Sequence, residues 1–130
     1  MKRVIFVCVE NSNRSQMAEA FARIHGGEWV ESYSAGSHPS GQVNPKAIEA
    51  MREFGYDLAQ HCSKGLGDLP IEKFDVAVTM GCGYAFPTSR AVRHEDWQIP
   101  YPKNLSREEF RNVRDLIETR VKALLLSMKG

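Results

Sequence analysis

The first apolar positions of the chain form an unbroken run, Val4 to Val7, largely β-branched. A short continuous run of this kind fits a parallel strand buried on both faces. From Ser15 to Ile24 the spacing changes. Met17, Ala18, Phe21, Ala22 and Ile24 form a helical stripe, and Gly26-Gly27 ends it. Trp29 to Tyr33 reads as a second strand, with Ser34-Ala35-Gly36 as a tight exit. Ser37 to Val43 contains Gly and Pro and reads as a loop. Asn44-Pro45 is a helix start, a capping residue followed by proline at the first helical position. That helix carries Ala47, Ile48, Met51 and Phe54 and stops at Gly55. Asp57 to Pro70 is mostly loop. Phe74 to Met80 is another apolar strand, and Arg90 to Ile99 holds a short fourth. Pro100 and Pro102 bracket a turn, and Ser106-Arg107-Glu108-Glu109 is a capping-box pattern opening a last helix that runs to about Met128. Strands alternating with helices predict an α/β domain built on a parallel sheet with helices on both faces.

At 130 residues the chain is expected to form one domain over 1–130, large enough for a core without disulfides or metal. A net charge of +1 gives no reason to expect nucleic acid or a membrane as partner. No apolar run approaches the roughly 20 residues of a spanning helix, and the short N-terminal strand lacks the pattern of a signal peptide. A cytoplasmic location is the expectation. Cys8, Cys62 and Cys82 form neither a metal-type cluster nor a paired framework. In a reducing compartment such thiols are catalytic, redox-active or simply buried.

The chemistry concentrates in Cys8-Val9-Glu10-Asn11-Ser12-Asn13-Arg14-Ser15, between the first strand and the first helix. Between Cys8 and Arg14 the backbone can curl into a bowl whose N–H groups, from Glu10 to Ser15, point inward as an anion-binding nest. The helix that starts near Arg14 adds its positive end. Arg14 supplies a planar fork suited to a tetrahedral oxyanion. Cys8 then lies beneath the anion as a nucleophile, the same field favouring its thiolate. The hydroxyls of Ser12 and Ser15 can donate to that sulfur, Asn11 can brace the loop, and Ser15 can also serve as a helix cap. Glu10 should point outward, because a carboxylate ~4 Å from the anion would repel it by about 4 kcal/mol at an effective dielectric of 20.

The stretch CVENSNRSQMAE, Cys8 to Glu19, resembles the phosphate loop of the low-molecular-weight protein tyrosine phosphatase superfamily. Asn11-Ser12 and Ser15 to Glu19 most resemble the arsenate reductases of that fold. The resemblance continues in Ser34-Ala35-Gly36, in Val78 to Gly83, in Glu95-Asp96-Trp97 and in the last helix. It implies a small doubly wound sheet of four parallel strands and a thiol-dependent reduction of arsenate to arsenite. In that reading Cys8 forms a covalent adduct with arsenic. Cys82, in Gly81-Cys82-Gly83 at the carboxyl end of the third strand, attacks Cys8 as the second redox thiol.

The chain also departs from its relatives. Where many carry a third cysteine it has Phe86, and where others carry one it has Met80. Cys62 is a candidate third thiol. Otherwise an external reductant, thioredoxin, glutaredoxin or glutathione, ends the cycle. Tyr101-Pro102 stands where the phosphatases have Asp-Pro. Tyr101, with an ordinary pKa near 10, is a poor general acid for an ester leaving group. Asn11, Glu19 and Ser34 resemble residues that hold potassium in some arsenate reductases. Lys64 stands in place of a further acidic ligand, so its ammonium is expected to brace the same oxygens, with no bound metal or cofactor. His25, His38, His61 and His94 show no ligand spacing and read as surface residues. Two rivals remain: a tyrosine phosphatase acting through phosphocysteine, and a non-catalytic domain that binds arsenate, phosphate or sulfate.

Overall fold

A computed structural model describes residues 2–69, 73–80, 90–100 and 105–129. Four strands, β1 (Lys2–Cys8), β2 (Val30–Gly36), β3 (Phe74–Thr79) and β4 (Ala91–Asp96), form one sheet in the order β2-β1-β3-β4, with every pairing parallel. The helices are α1 (Arg14–Gly26), α2 (Pro45–Arg52) and α3 (Arg107–Met128). The expected α/β architecture with four parallel strands is therefore present. From β1 the chain moves to one side for β2 and to the other for β3. That reversal makes the carboxyl end of β1 a topological switch point, the place where ligands bind in open α/β sheets. Cys8 is the last residue of β1.

Alternation along β1 divides the interior. Val4, Phe6 and Cys8 face the larger core, with Met17 and Phe21 of α1, Met51 of α2, and Ile117 and Val121 of α3. Ile5 and Val7 face the other way, with Ala35 and Ala77. Among the described residues that second face is covered by the 3-10 turn Leu66–Asp68 and by Leu69. All four apolar residues of the predicted run are fully buried, which a both-faces-covered strand requires.

Both predicted helix starts carry their caps. Asn44 accepts from the Lys46 N–H with Pro45 at the first helical position, and Ser106 and Glu109 close a capping box at α3. Several boundaries differ from the sequence reading: Trp29 lies in a 3-10 turn, β2 begins at Val30 and β3 ends at Thr79. Ser34, Ala35 and Gly36 belong to β2 rather than to a turn, because Gly36 pairs with Cys8 and bridges to Gly65. Phe54 lies beyond the end of α2. Its ring meets Phe21 edge-on, and the Arg114 guanidinium covers it at 4.7 Å. Arg114 reaches back from α3 to the Ala50 carbonyl and Glu53, which fixes α2 against α3.

Candidate active site

The segment from Cys8 to Asn13 is held by its carbonyl oxygens. Ser37 N–H donates to the carbonyl of Cys8, His38 N–H to that of Val9, Ser40 N–H and the Ser63 hydroxyl to that of Glu10, and Asn44 N–H to that of Ser12. The Gln16 side chain donates to the carbonyl of Asn11. In a planar trans peptide the N–H opposes the C=O. Five consecutive carbonyls turned toward these donors therefore turn the N–H groups of residues 9 to 13 the other way. Asn11 makes the bend with φ of +52°, a left-handed conformation that Asn adopts more readily than most residues.

Close approach is as important as hydrogen bonding. A β-carbon at Gly36 would lie 2.5 Å from the carbonyl oxygen of Val9 and 2.9 Å from the Asn11 nitrogen. The loop can lie against β2 only because residue 36 has no side chain.

Cys8 is buried, 3% exposed, and its Sγ lies 2.8 Å from the Ser15 hydroxyl. Ser15 is inside the first turn of α1, where Asn13 holds the cap position, so its hydroxyl serves the sulfur and not the helix end. Ser12 departs from expectation. Its hydroxyl accepts from the Asn13 amide at 3.4 Å and makes no hydrogen bond to the sulfur. Asn13 is buried, and its Oδ1 has no hydrogen-bond partner. Arg14 is buried. Its guanidinium donates to the carbonyls of Met80, 2.6 Å away, and Ile99, 3.2 Å away. Met80 N–H in turn donates to the carbonyl of Val7. The ends of β1 and β3 thus hold Arg14 and Cys8 in one place. Glu10 is half-buried.

Behind the loop, Glu19 of α1 is buried and collects partners. Ser34 donates to Oε1 at 2.5 Å, and Arg23 pairs with Oε2 at 2.6 Å. Lys64 Nζ is 3.8 Å from Oε1 and donates to the Cys62 carbonyl. Asn11 Oδ1 accepts from the Lys64 N–H. The four residues singled out for bracing, Asn11, Glu19, Ser34 and Lys64, therefore meet. No group of metal-ligating side chains occurs among the described residues.

A further expectation is corrected. His61 is not on the surface; its side chain is only 3% exposed. Burial holds its pKa below the ordinary value, against the opposing pull of the Glu19 carboxylate 3.9 Å away. Two neighbours were missed entirely. Gln16 is fully buried, and Tyr56 hydrogen-bonds His61 at 2.6 Å. Gln16, Glu19 and Arg23 follow one another along one side of an otherwise apolar helix, the usual mark of a solvent face. Here that side meets the loop containing Tyr56, His61 and Lys64 instead.

The carboxylates near Trp97 are already engaged. Glu95 accepts from the Trp97 indole and pairs with Arg93, and Asp96 accepts from Thr79 at 2.6 Å. They are the last two residues of β4 rather than part of a turn. Cys62 is exposed. Cys82, Phe86 and Tyr101 lie outside the described residues, and with them the expected second thiol and the general-acid position.

The model of the low molecular weight phosphotyrosine protein phosphatase family matches residues 3–130, and the chain belongs to that family. Within it, the chain is similar to proteins named as arsenate reductases. It is 38% identical over 128 residues to the glutaredoxin arsenate reductase of Synechocystis sp., covering 96% of this chain and 97% of that one. It is 40% identical over 129 residues to arsenate reductase 2 of Staphylococcus epidermidis, covering 94% and 95%. A solved arsenate reductase in the phosphate binding state matches with a TM-score of 0.89 at 37% identity, over 98% of each chain.

Proposed function

We propose that this protein reduces arsenate to arsenite with electrons from thiols. The observation that carries the reading is the buried Cys8 thiol, 2.8 Å from the Ser15 hydroxyl, at the start of a loop whose carbonyls from Cys8 to Ser12 all accept hydrogen bonds. Similarity to arsenate reductases over nearly the whole chain supports the choice of substrate. The N–H groups of the loop and Arg14 bind the oxyanion. Cys8 thiolate attacks arsenic, and a hydroxide-like oxygen leaves as water after protonation. The Cys82 thiolate then attacks Cys8 Sγ. The S–As bond breaks, its electron pair goes to arsenic, arsenite departs and a Cys8–Cys82 disulfide remains. Thioredoxin, glutaredoxin or glutathione restores the thiols in the cytoplasm, and Cys62 is the candidate third thiol within the chain.

The phosphatase reading uses the same Cys8 and Arg14 but needs a good general acid, and Tyr101 replaces the aspartate that would supply one. Parallel assays separate the readings. Arsenate turnover with glutaredoxin and glutathione, or with thioredoxin, should exceed hydrolysis of an aryl phosphate. Efficient ester hydrolysis without arsenate turnover would favour the phosphatase, and neither activity would leave an oxyanion-binding domain. Cys62→Ser should keep full turnover if the last thiol is external and lose it if Cys62 supplies that thiol.

A further inference from the structure

We infer that the side-chain amide oxygen of Asn13 accepts a hydrogen bond from the protonated oxygen of the bound oxyanion, so that the bowl prefers hydrogen arsenate and hydrogen phosphate to sulfate. The inference rests on the reading of the loop as the oxyanion site. It adds to that reading a selection between anions of equal charge and similar size. Among the described residues, Asn13 Oδ1 is the one buried side-chain nitrogen or oxygen with no hydrogen-bond partner. A buried acceptor without a donor costs stability, so its presence calls for a donor that arrives with a ligand.

Asn13 has two ordinary ways to satisfy that oxygen and uses neither. At a helix N-cap an asparagine oxygen commonly accepts from an N–H of the first turn. Asn13 holds the cap position of α1, with φ of −130° and ψ of −85°, yet its side chain makes no capping bond. Its backbone carbonyl accepts from the Met17 N–H, so the helix begins without help from the side chain. Bulk water is the other common partner, and Asn13 is only 4% exposed. The nitrogen end of the same amide is engaged with Ser12 Oγ at 3.4 Å. The oxygen is thus withheld from the helix, from the neighbouring hydroxyl and from solvent, in the segment that forms the bowl.

The groups assigned to the anion are all donors. The N–H groups of residues 9 to 13 turn away from the carbonyls of Cys8 to Ser12, and the Arg14 guanidinium has no acceptor. The Cys8 sulfur is paired with the Ser15 hydroxyl. Donors suit the bare oxygens of an oxyanion but not its hydroxyl. Near neutral pH arsenate and phosphate carry at least one proton, and the O–H needs an acceptor. Sulfate carries none, so one of its oxygens would meet Asn13 Oδ1 with no proton between them. A site built to accept from a substrate hydroxyl rejects an analogue that lacks it, because the site's own polar group is left unpaired.

The test is calorimetric titration of the reduced, full chain with inorganic phosphate and with sulfate, at mildly alkaline pH. Both are then dianions, and only phosphate carries a proton. The parent should bind phosphate about tenfold to a hundredfold more tightly than sulfate. Asn13→Ala should lose that preference, with the two affinities within about threefold of each other. General loosening of the loop would weaken both anions together and leave their ratio unchanged. Asn13→Leu, which keeps the volume and removes the amide, should show the same loss of preference and decides the matter if Asn13→Ala does not fold. Retention of the parent's preference in both variants would overturn the proposal. So would a parent that binds the two anions equally, or one that prefers sulfate, which would mean that the amide presents its nitrogen to the anion. Parent-like binding of both anions by Arg14→Ala would instead overturn the bowl as the oxyanion site.

Discussion

Arg14→Ala should lower kcat/KM for arsenate by about a thousandfold and abolish the thermal stabilisation given by phosphate or sulfate. The expectation follows from where the guanidinium sits. It is buried at the end of β3 and held by the carbonyls of Met80 and Ile99, so its orientation is set before any anion arrives. An aligned cation removed from water interacts with an oxyanion far more strongly than an exposed one. Arg14→Lys should lose nearly as much, because an ammonium keeps the charge but cannot reproduce the planar fork that two carbonyls aim. Kinetics beside a thermal shift with sulfate check both variants. Parent-like affinity in Arg14→Ala would move the anion site out of the bowl.

Gly36→Ala should destabilise the protein by about 2–4 kcal/mol and greatly weaken oxyanion binding, although residue 36 is outside the loop. Its new methyl group would meet the Val9 carbonyl oxygen at 2.5 Å and the Asn11 nitrogen at 2.9 Å. Both neighbours are backbone atoms, so relief requires movement of the loop. The same movement would strain the bonds from Ser37 and His38 to the carbonyls of Cys8 and Val9. Gly67→Ala is the control, since a β-carbon there meets nothing within 4 Å, and it should change stability by about 0.5 kcal/mol or less. Urea unfolding with and without sulfate measures both variants. Equal effects at the two glycines would mean that the loop does not depend on this close approach.

The parts of the site visible in the sequence are those carried by local pattern. A buried strand ending in Cys8 and a helix opening at Arg14 placed the loop. The Asn44 and Ser106 caps, which reach two and three residues along the chain, are legible directly. What stayed hidden depends on distant pairing. Ser34 to Gly36 read as an exit because small polar residues mark turns, but pairing with β1 extends β2 through them. His61 read as exposed because a loop has no periodicity from which burial can be inferred. Its burial comes from Gln16, 45 residues earlier. The bracing role of Glu19 came only through family resemblance, since a carboxylate within a helix ordinarily signals solvent. Its compensation lies in Ser34, Arg23 and Lys64.

The central claim is that arsenic(V) takes its two electrons from Cys8 and Cys82. The direct test is to mix fully reduced protein, free of any external thiol, with arsenate and count the arsenite formed per chain. The parent should release about one arsenite and yield a Cys8–Cys82 disulfide on peptide mapping, since one dithiol supplies two electrons. Cys82→Ser should release none. Release of arsenite at the parent yield from Cys82→Ser would contradict the relay, and its absence from the parent, beside brisk hydrolysis of an aryl phosphate, would contradict arsenate reduction itself.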